Sequence, residues 1–78
     1  MFGYWEFRTH GHSIRIVPQS EKRWIIMDGD DALESHPSDL AALDALLAGS
    51  TCLLSDGINT AELGLPDDLS EWRFVRLR

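Results

Sequence analysis

WIIMDGDDALESHPSDLAALDALLAG, residues 24–49, decides the fold. Trp24, Ile25, Ile26 and Met27 form an apolar run rich in β-formers. It stops at Asp28-Gly29, a dipeptide suited to a tight hairpin because glycine accepts positive φ. Asp30 and Asp31 extend the turn, which leaves a bulged loop as an alternative. Ala32 to Ser35 reads as a short return strand with Leu33 as its one large apolar residue. His36-Pro37-Ser38-Asp39 then opens a helix. Proline suits the first helical position, where its missing N–H costs nothing, and Asp39 favours the positive end of the helix dipole. Leu40, Leu43, Leu46 and Leu47 recur at helical spacing, and alanines at 41, 42, 45 and 48 keep propensity high. Gly49 suits the position just past the end. The leucine stripe needs a partner, and the apolar face of a sheet is the only candidate.

The chain on either side supplies that sheet. Residues 2–9 alternate, with Trp5 and Phe7 on one face and Tyr4, Glu6 and Arg8 on the other. His10-Gly11-His12-Ser13 reads as a turn, residues 13–17 as a second strand with Ile14 and Ile16 facing inward, and Pro18 to Glu21 as the next turn. Lys22 to Met27 is the third strand and Ala32 to Ser35 the fourth. Connections this short predict an antiparallel meander, and its apolar face should receive a helix spanning Pro37 to Ala48. Beyond Gly49, Thr51 to Leu54 reads as a short strand or packed loop. Thr60 to Leu63 reads as a helical turn capped by Thr60 or Asn59, and Trp72 onward alternates as a last strand with Trp72 and Phe74 inward and Leu77 as a further candidate. The expected fold class is α+β: a meander of three to four strands, one helix on one face, and a C-terminal strand or extended segment. Its fourth and last strands are edges, open to pairing with a second copy.

Seventy-eight residues are expected to form a single domain, residues 1–78. The hydrophobic fraction of 44% and the three tryptophans argue for a packed core rather than disorder. A single cysteine, Cys52, excludes an internal disulfide and fits a reducing compartment. No secretory h-region opens the chain, and no apolar run approaches the ~20 residues that span a membrane. A cytoplasmic protein of a bacterial cell is expected.

Charge is unevenly placed within a formal net charge of −6. Residues 24–72 contain no lysine or arginine and eleven acids. All seven basic residues lie outside that span: Arg8, Arg15, Lys22, Arg23, Arg73, Arg76 and Arg78. Such a middle segment disfavours direct nucleic-acid binding, which depends on phosphate contacts, and favours a partner protein with a basic patch.

Trp24–Gly49 and the later segment GINTAELGLPDDLSEW, residues 57–72, together resemble short uncharacterised proteins encoded in proteobacterial genomes and prophages. This chain enters its helix through His36-Pro37 where that pattern has Ser-Pro. The resemblance implies a stand-alone bacterial or phage-borne domain and carries over no catalytic residue and no substrate.

Several residue sets invite chemistry. His10, His12 and His36, with Cys52 as a fourth ligand, suggest a metal site, but no usual zinc spacing is present. HGH reads as a polar hairpin turn and His36 as a helix cap. Asp28, Asp30, Asp31 and Glu34 surround a glycine as in calcium loops, yet the glycine and closing glutamate are misplaced for an EF-hand, so a solvated hairpin tip is the plainer reading. Cys52 as a nucleophile would need a base, an orienting group and an oxyanion hole. Before two leucines it reads as a small buried residue. No cofactor is called for.

Asp67, Asp68 and Glu71 beside Trp72 suggest a docking edge with an aromatic anchor, although Trp72 itself reads as core. The function expected is a small acidic, non-catalytic protein-binding module. Asp28, Asp30, Asp31, Glu34, Asp67, Asp68 and Glu71 would dock on a basic site of a partner. In a phage setting it would be an anti-CRISPR-like inhibitor of a nucleic-acid-handling defence protein. The alternatives are a small metal protein or enzyme built on His10, His12, His36 and Cys52, or a scaffold or accessory protein whose acids serve solubility.

Overall fold

The computed structural model describes residues 3–9, 11–49 and 57–76. Strands β1 (Gly3–Thr9), β2 (His12–Ser20), β3 (Arg23–Asp28) and β4 (Asp31–His36) follow one another as a meander. Helix α1 (Asp39–Ala48) comes next, then two 3₁₀ turns (Thr60–Glu62 and Leu69–Glu71) and strand β5 (Arg73–Arg76). The five strands form one antiparallel sheet in the order β4-β3-β2-β1-β5. The fold is α+β, with β4 and β5 as its two edges.

The period-2 pattern decides what each strand buries. Ile14, Ile16 and Ile26 are fully buried, and the register pairs Trp5 with Ile16, Phe7 with Ile14 and Ile16 with Ile26. Onto this face pack Ala42, Leu43 and Leu46 of α1, with Leu63, Leu65, Leu69 and Trp72 from the segment that follows. Trp5, Phe7, Trp24 and Leu33 flank the cluster. Trp72 is core: its ring lies 5.7 Å from Phe7 and its indole N–H donates to the Pro66 carbonyl.

Three expectations need correction. Pro18 is not in a turn, because β2 continues to Ser20. Pro18 pairs with Trp24, and the register then shifts so that Ser20 pairs with Arg23. Among the described residues the last β2 residue paired with β1 is Ile16, so Pro18 lies past that pairing, where a missing N–H is tolerated.

The helix begins two residues later than expected. Ser38 is its cap, with extended backbone and a hydroxyl that accepts from the Ala41 N–H at 3.0 Å. Pro37 therefore precedes the cap, and His36 ends β4 instead of capping anything.

The leucine stripe is also rotated. α1 buries Ala42, Leu43, Ala45 and Leu46, while Leu40 is 61% exposed. At about 100° per residue, Leu40 sits roughly 140° from the centre of that buried group. Two alanines in the interface let the helix lie closer to the sheet than leucines would.

Two glycines hold the ends of this packing. Gly49 has φ 69°, and its N–H reaches back to Ala45 and Leu46 carbonyls. A Cβ there would collide with Asn59 Oδ1. Asn59 also donates to the Gly49 carbonyl, and buried Thr60 donates to Leu46 O at 2.9 Å. Asn59 caps the first 3₁₀ turn in a reciprocal box with Glu62. Gly3 makes room for Phe74, since a Cβ would come within 2.5 Å of that ring and of the Val75 carbonyl. Phe74 is 42% exposed, less inward than expected, because it lies on an edge strand, where it stacks on Trp5 (centroids 4.6 Å apart).

Candidate functional site

The antiparallel order places the seven nominated acids. β1 rises to Thr9, β2 descends from His12, β3 rises to Asp28 and β4 descends from Asp31. The hairpin carrying Asp28, Asp30 and Asp31 therefore lies at the same end of the sheet as the β1–β2 hairpin. β5 starts there too, level with Glu6, so Asp67, Asp68 and Glu71 precede it at that end. The two groups share one end but stand at opposite edges. Four inter-strand steps of about 4.8 Å put those edges about 19 Å apart.

The seven differ in availability. Asp28 is half-buried, and its Oδ2 lies 2.9 Å from His12 Nδ1. Glu34 pairs with His36 at 3.0 Å. Asp68 caps the second 3₁₀ turn: the Ser70 N–H and hydroxyl hold its carboxyl below the usual aspartate range. These three have structural duties. Asp30, Asp31, Asp67 and Glu71 are exposed, and none of their side chains has a hydrogen bond or ion pair among the described residues. The hairpin itself closes with Gly29 at φ 59° and Asp28 opposite Asp31, so Gly29-Asp30 is the two-residue turn. A bulge near Leu33 turns that residue toward the core.

The histidines do not converge. His12 opens β2 and His36 closes β4, level with Trp24 and Pro18. Six residues of strand separate those levels, about 20 Å. His12 and His36 therefore cannot share one metal ion. His10 and Cys52 lie outside the described residues. Among the described residues no group of three or more His, Cys, Asp or Glu is placed to hold a metal ion, and no helix is long and apolar enough to cross a membrane.

The most organised polar cluster was not among the nominated residues. Glu6 is only 5% exposed, yet it sits on the sheet face away from the helix. Its carboxylate accepts from Ser13 Oγ at 2.9 Å and Arg15 Nε at 3.0 Å, and Arg8 Nε lies 3.7 Å away. Burial opposes the charge, but the Ser13 and Arg15 hydrogen bonds and the Arg8 and Arg15 charges outweigh it. The carboxyl therefore titrates below the usual glutamate range. Arg73 is its cross-strand partner on β5. Arg15 also lies over the Tyr4 ring, 5.6 Å from its centroid. The two ends of the chain, basic in sequence, thus meet on one face. An alternation E-F-R in β1 opposite S-I-R in β2 contained that signal, but the pairing of β1 with β5 did not follow from it.

Comparisons with family models, with curated proteins and with solved structures find no match for this chain. The functional reading therefore rests on the chain's own geometry.

Proposed function

We propose that this protein is a small, non-catalytic protein-binding module that docks exposed carboxylates on a basic site of a partner. The observation that carries this reading is the placement of Asp30, Asp31, Asp67 and Glu71. All four are solvent-exposed, Asp30 and Asp31 on the β3–β4 hairpin and Asp67 and Glu71 on the segment leading into β5, in a chain of net charge −6. Carboxylates held on turns anchored by Gly29 and by the Asp68 cap are positioned before binding, which lowers the ordering cost of association. A spread of about 19 Å between the two groups suits a broad basic surface rather than a single pocket. A phosphate-binding site of a nucleic-acid-handling protein has that character, and the anti-CRISPR-like inhibitor in a bacterial cytoplasm is the concrete form of this reading. Asp28 and Asp68 act in it by shaping the turns, while Glu34 is held on β4 by His36.

An edge-paired homodimer belongs to the same reading. The β4 edge presents Asp31 and Glu34, while the β5 edge presents Arg73 and Arg76. Unlike charges favour pairing β4 of one copy with β5 of the next, a head-to-tail contact that leaves one edge of each copy open.

The test is affinity capture with the tagged protein from a bacterial lysate containing defence systems, at low and at high salt. One basic protein should be retained at low salt and lost at high salt. Paired charge reversals D30K/D31K and D67K/E71K should each weaken that capture at least tenfold. Capture unaffected by both pairs would refute the reading. Light scattering across a concentration series tests the dimer.

A further inference from the structure

The face of the sheet opposite α1 is uncovered by any described element, and its composition differs from the rest of the molecule. One row crosses it as Arg73, Glu6, Arg15, Met27 and Ala32 in successive register. The neighbouring row runs Val75, Tyr4, Val17 and Ile25: Val75 pairs with Tyr4, Val17 pairs with Ile25, and the Trp5–Ile16 pair sets Tyr4 beside Val17. Arg8 stands beyond the first row opposite Ser13, and Arg23 reaches across to Ser35 Oγ at 3.0 Å. Among the described residues, four arginines therefore share this face with one carboxylate, Glu6, whose charge is already spent on Arg15 and Arg8. Glu71 borders it at the upper corner, in a shallow hollow shared with Phe7, Arg8 and Arg73.

We propose that this open sheet face is a second docking surface, and that its occupant is an acidic, amphipathic polypeptide segment. Carboxylates of the segment would meet Arg8, Arg73 and Arg23, and its apolar side chains would lie along the Val75–Tyr4–Val17–Ile25 row. Charge complementarity selects the sign of the partner, because an arginine-bearing face attracts an acidic chain even on an acidic protein. The aliphatic row selects polypeptide over single-stranded nucleic acid. Bases need aromatic platforms, and among the described residues the one aromatic of the face, Tyr4, already lies under Arg15. A second copy docking face to face would oppose arginine to arginine. This surface meets the acidic end that carries the proposed function only at Glu71.

The test uses the full chain, isotope-labelled, and an N-acetylated, C-amidated peptide alternating glutamate and leucine. A lysine–leucine peptide and an oligothymidylate serve as controls. At low salt the acidic peptide should shift amide resonances of Tyr4, Glu6, Val17 and Ile25, and leave those of α1 in place. R8E/R73E should weaken that binding at least fivefold, and so should Ile25→Glu, with both variants retaining the wild-type dispersion of core amide signals. If a variant unfolds, Arg73→Gln alone is used, with a loss of at least twofold expected. Shifts confined to other surfaces, no shift at all, or binding of oligothymidylate as tight as the acidic peptide's would overturn the proposal. Loss of this binding with lysate capture intact would separate its fate from that of the acidic end.

Discussion

The two faces of the sheet are built by different physics. The helix-covered face is dry: Ile14, Ile16, Ile26 and Leu46 have no exposed surface, and its cohesion scales with buried apolar area. Among the described residues the open face has one nearly buried group, and that group is charged. Glu6 is covered by the arginine side chains it pairs with, so its burial is lateral and shallow. The difference teaches that low exposure has two meanings in this molecule. On one face it measures packing that tolerates salt and acid. On the other it measures an ionic arrangement that depends on both.

The largest way to break the contrast lies on the dry face. Leu46→Ala should destabilise by about 2–5 kcal/mol in denaturant titrations, with a cavity left under the helix. Next, Glu6→Gln should cost about 1.5–3 kcal/mol at neutral pH by removing the charged acceptor of Ser13 and Arg15. The pH dependence sharpens this point. A carboxyl whose folded pKa is depressed contributes stability that is present above its unfolded value and is lost as pH falls through the folded one. With Glu6 starting from 4.5, wild-type protein should lose stability as pH drops below that value. Glu6→Gln should flatten this part of the profile, and Leu46→Ala should leave its shape unchanged. Thermal melts at stepped pH check all three.

Smaller effects probe the margins of the dry face. Gly49→Ala should cost about 1–3 kcal/mol, since alanine resists positive φ and its Cβ meets Asn59. Ser38→Ala should cost about 1 kcal/mol as a lost helix cap, whereas Pro37→Ala should change little. Leu40→Ala should stay within about 0.5 kcal/mol despite its place in the leucine pattern. Chemical denaturation of these variants side by side would place the helix face directly. A large cost at Leu40 would mean the helix is rotated toward the arrangement its leucines suggest.

Much of the fold was legible because its signals are local. Period-2 alternation named Trp5, Phe7, Ile14, Ile16 and Ile26 as one face. Gly29 and Gly49 marked a turn and a helix end, and Asn59 was one of two caps considered for the turn it does cap. The candidate site was less legible. Alternating acids at residues 28–34 read as one surface, but Asp28 and Glu34 are taken up by histidines, and residues 67–71 belong to the other edge. His12 and His36 looked available to each other only because sequence does not show which ends of the strands adjoin.

The sequence by itself determined the meander, the one helix and the acidic middle, since alternation, turn residues and charge are written in neighbouring positions. Only the tertiary structure decided which side of α1 faces inward. That choice depends on how closely Ala42 and Ala45 let two surfaces approach, and leucine spacing alone misplaces it. It alone also brought Arg73 beside Glu6, sixty-seven residues away in the chain. Strand order is settled by burying one shared face, and that global balance joins the two basic ends of the chain around a single carboxylate.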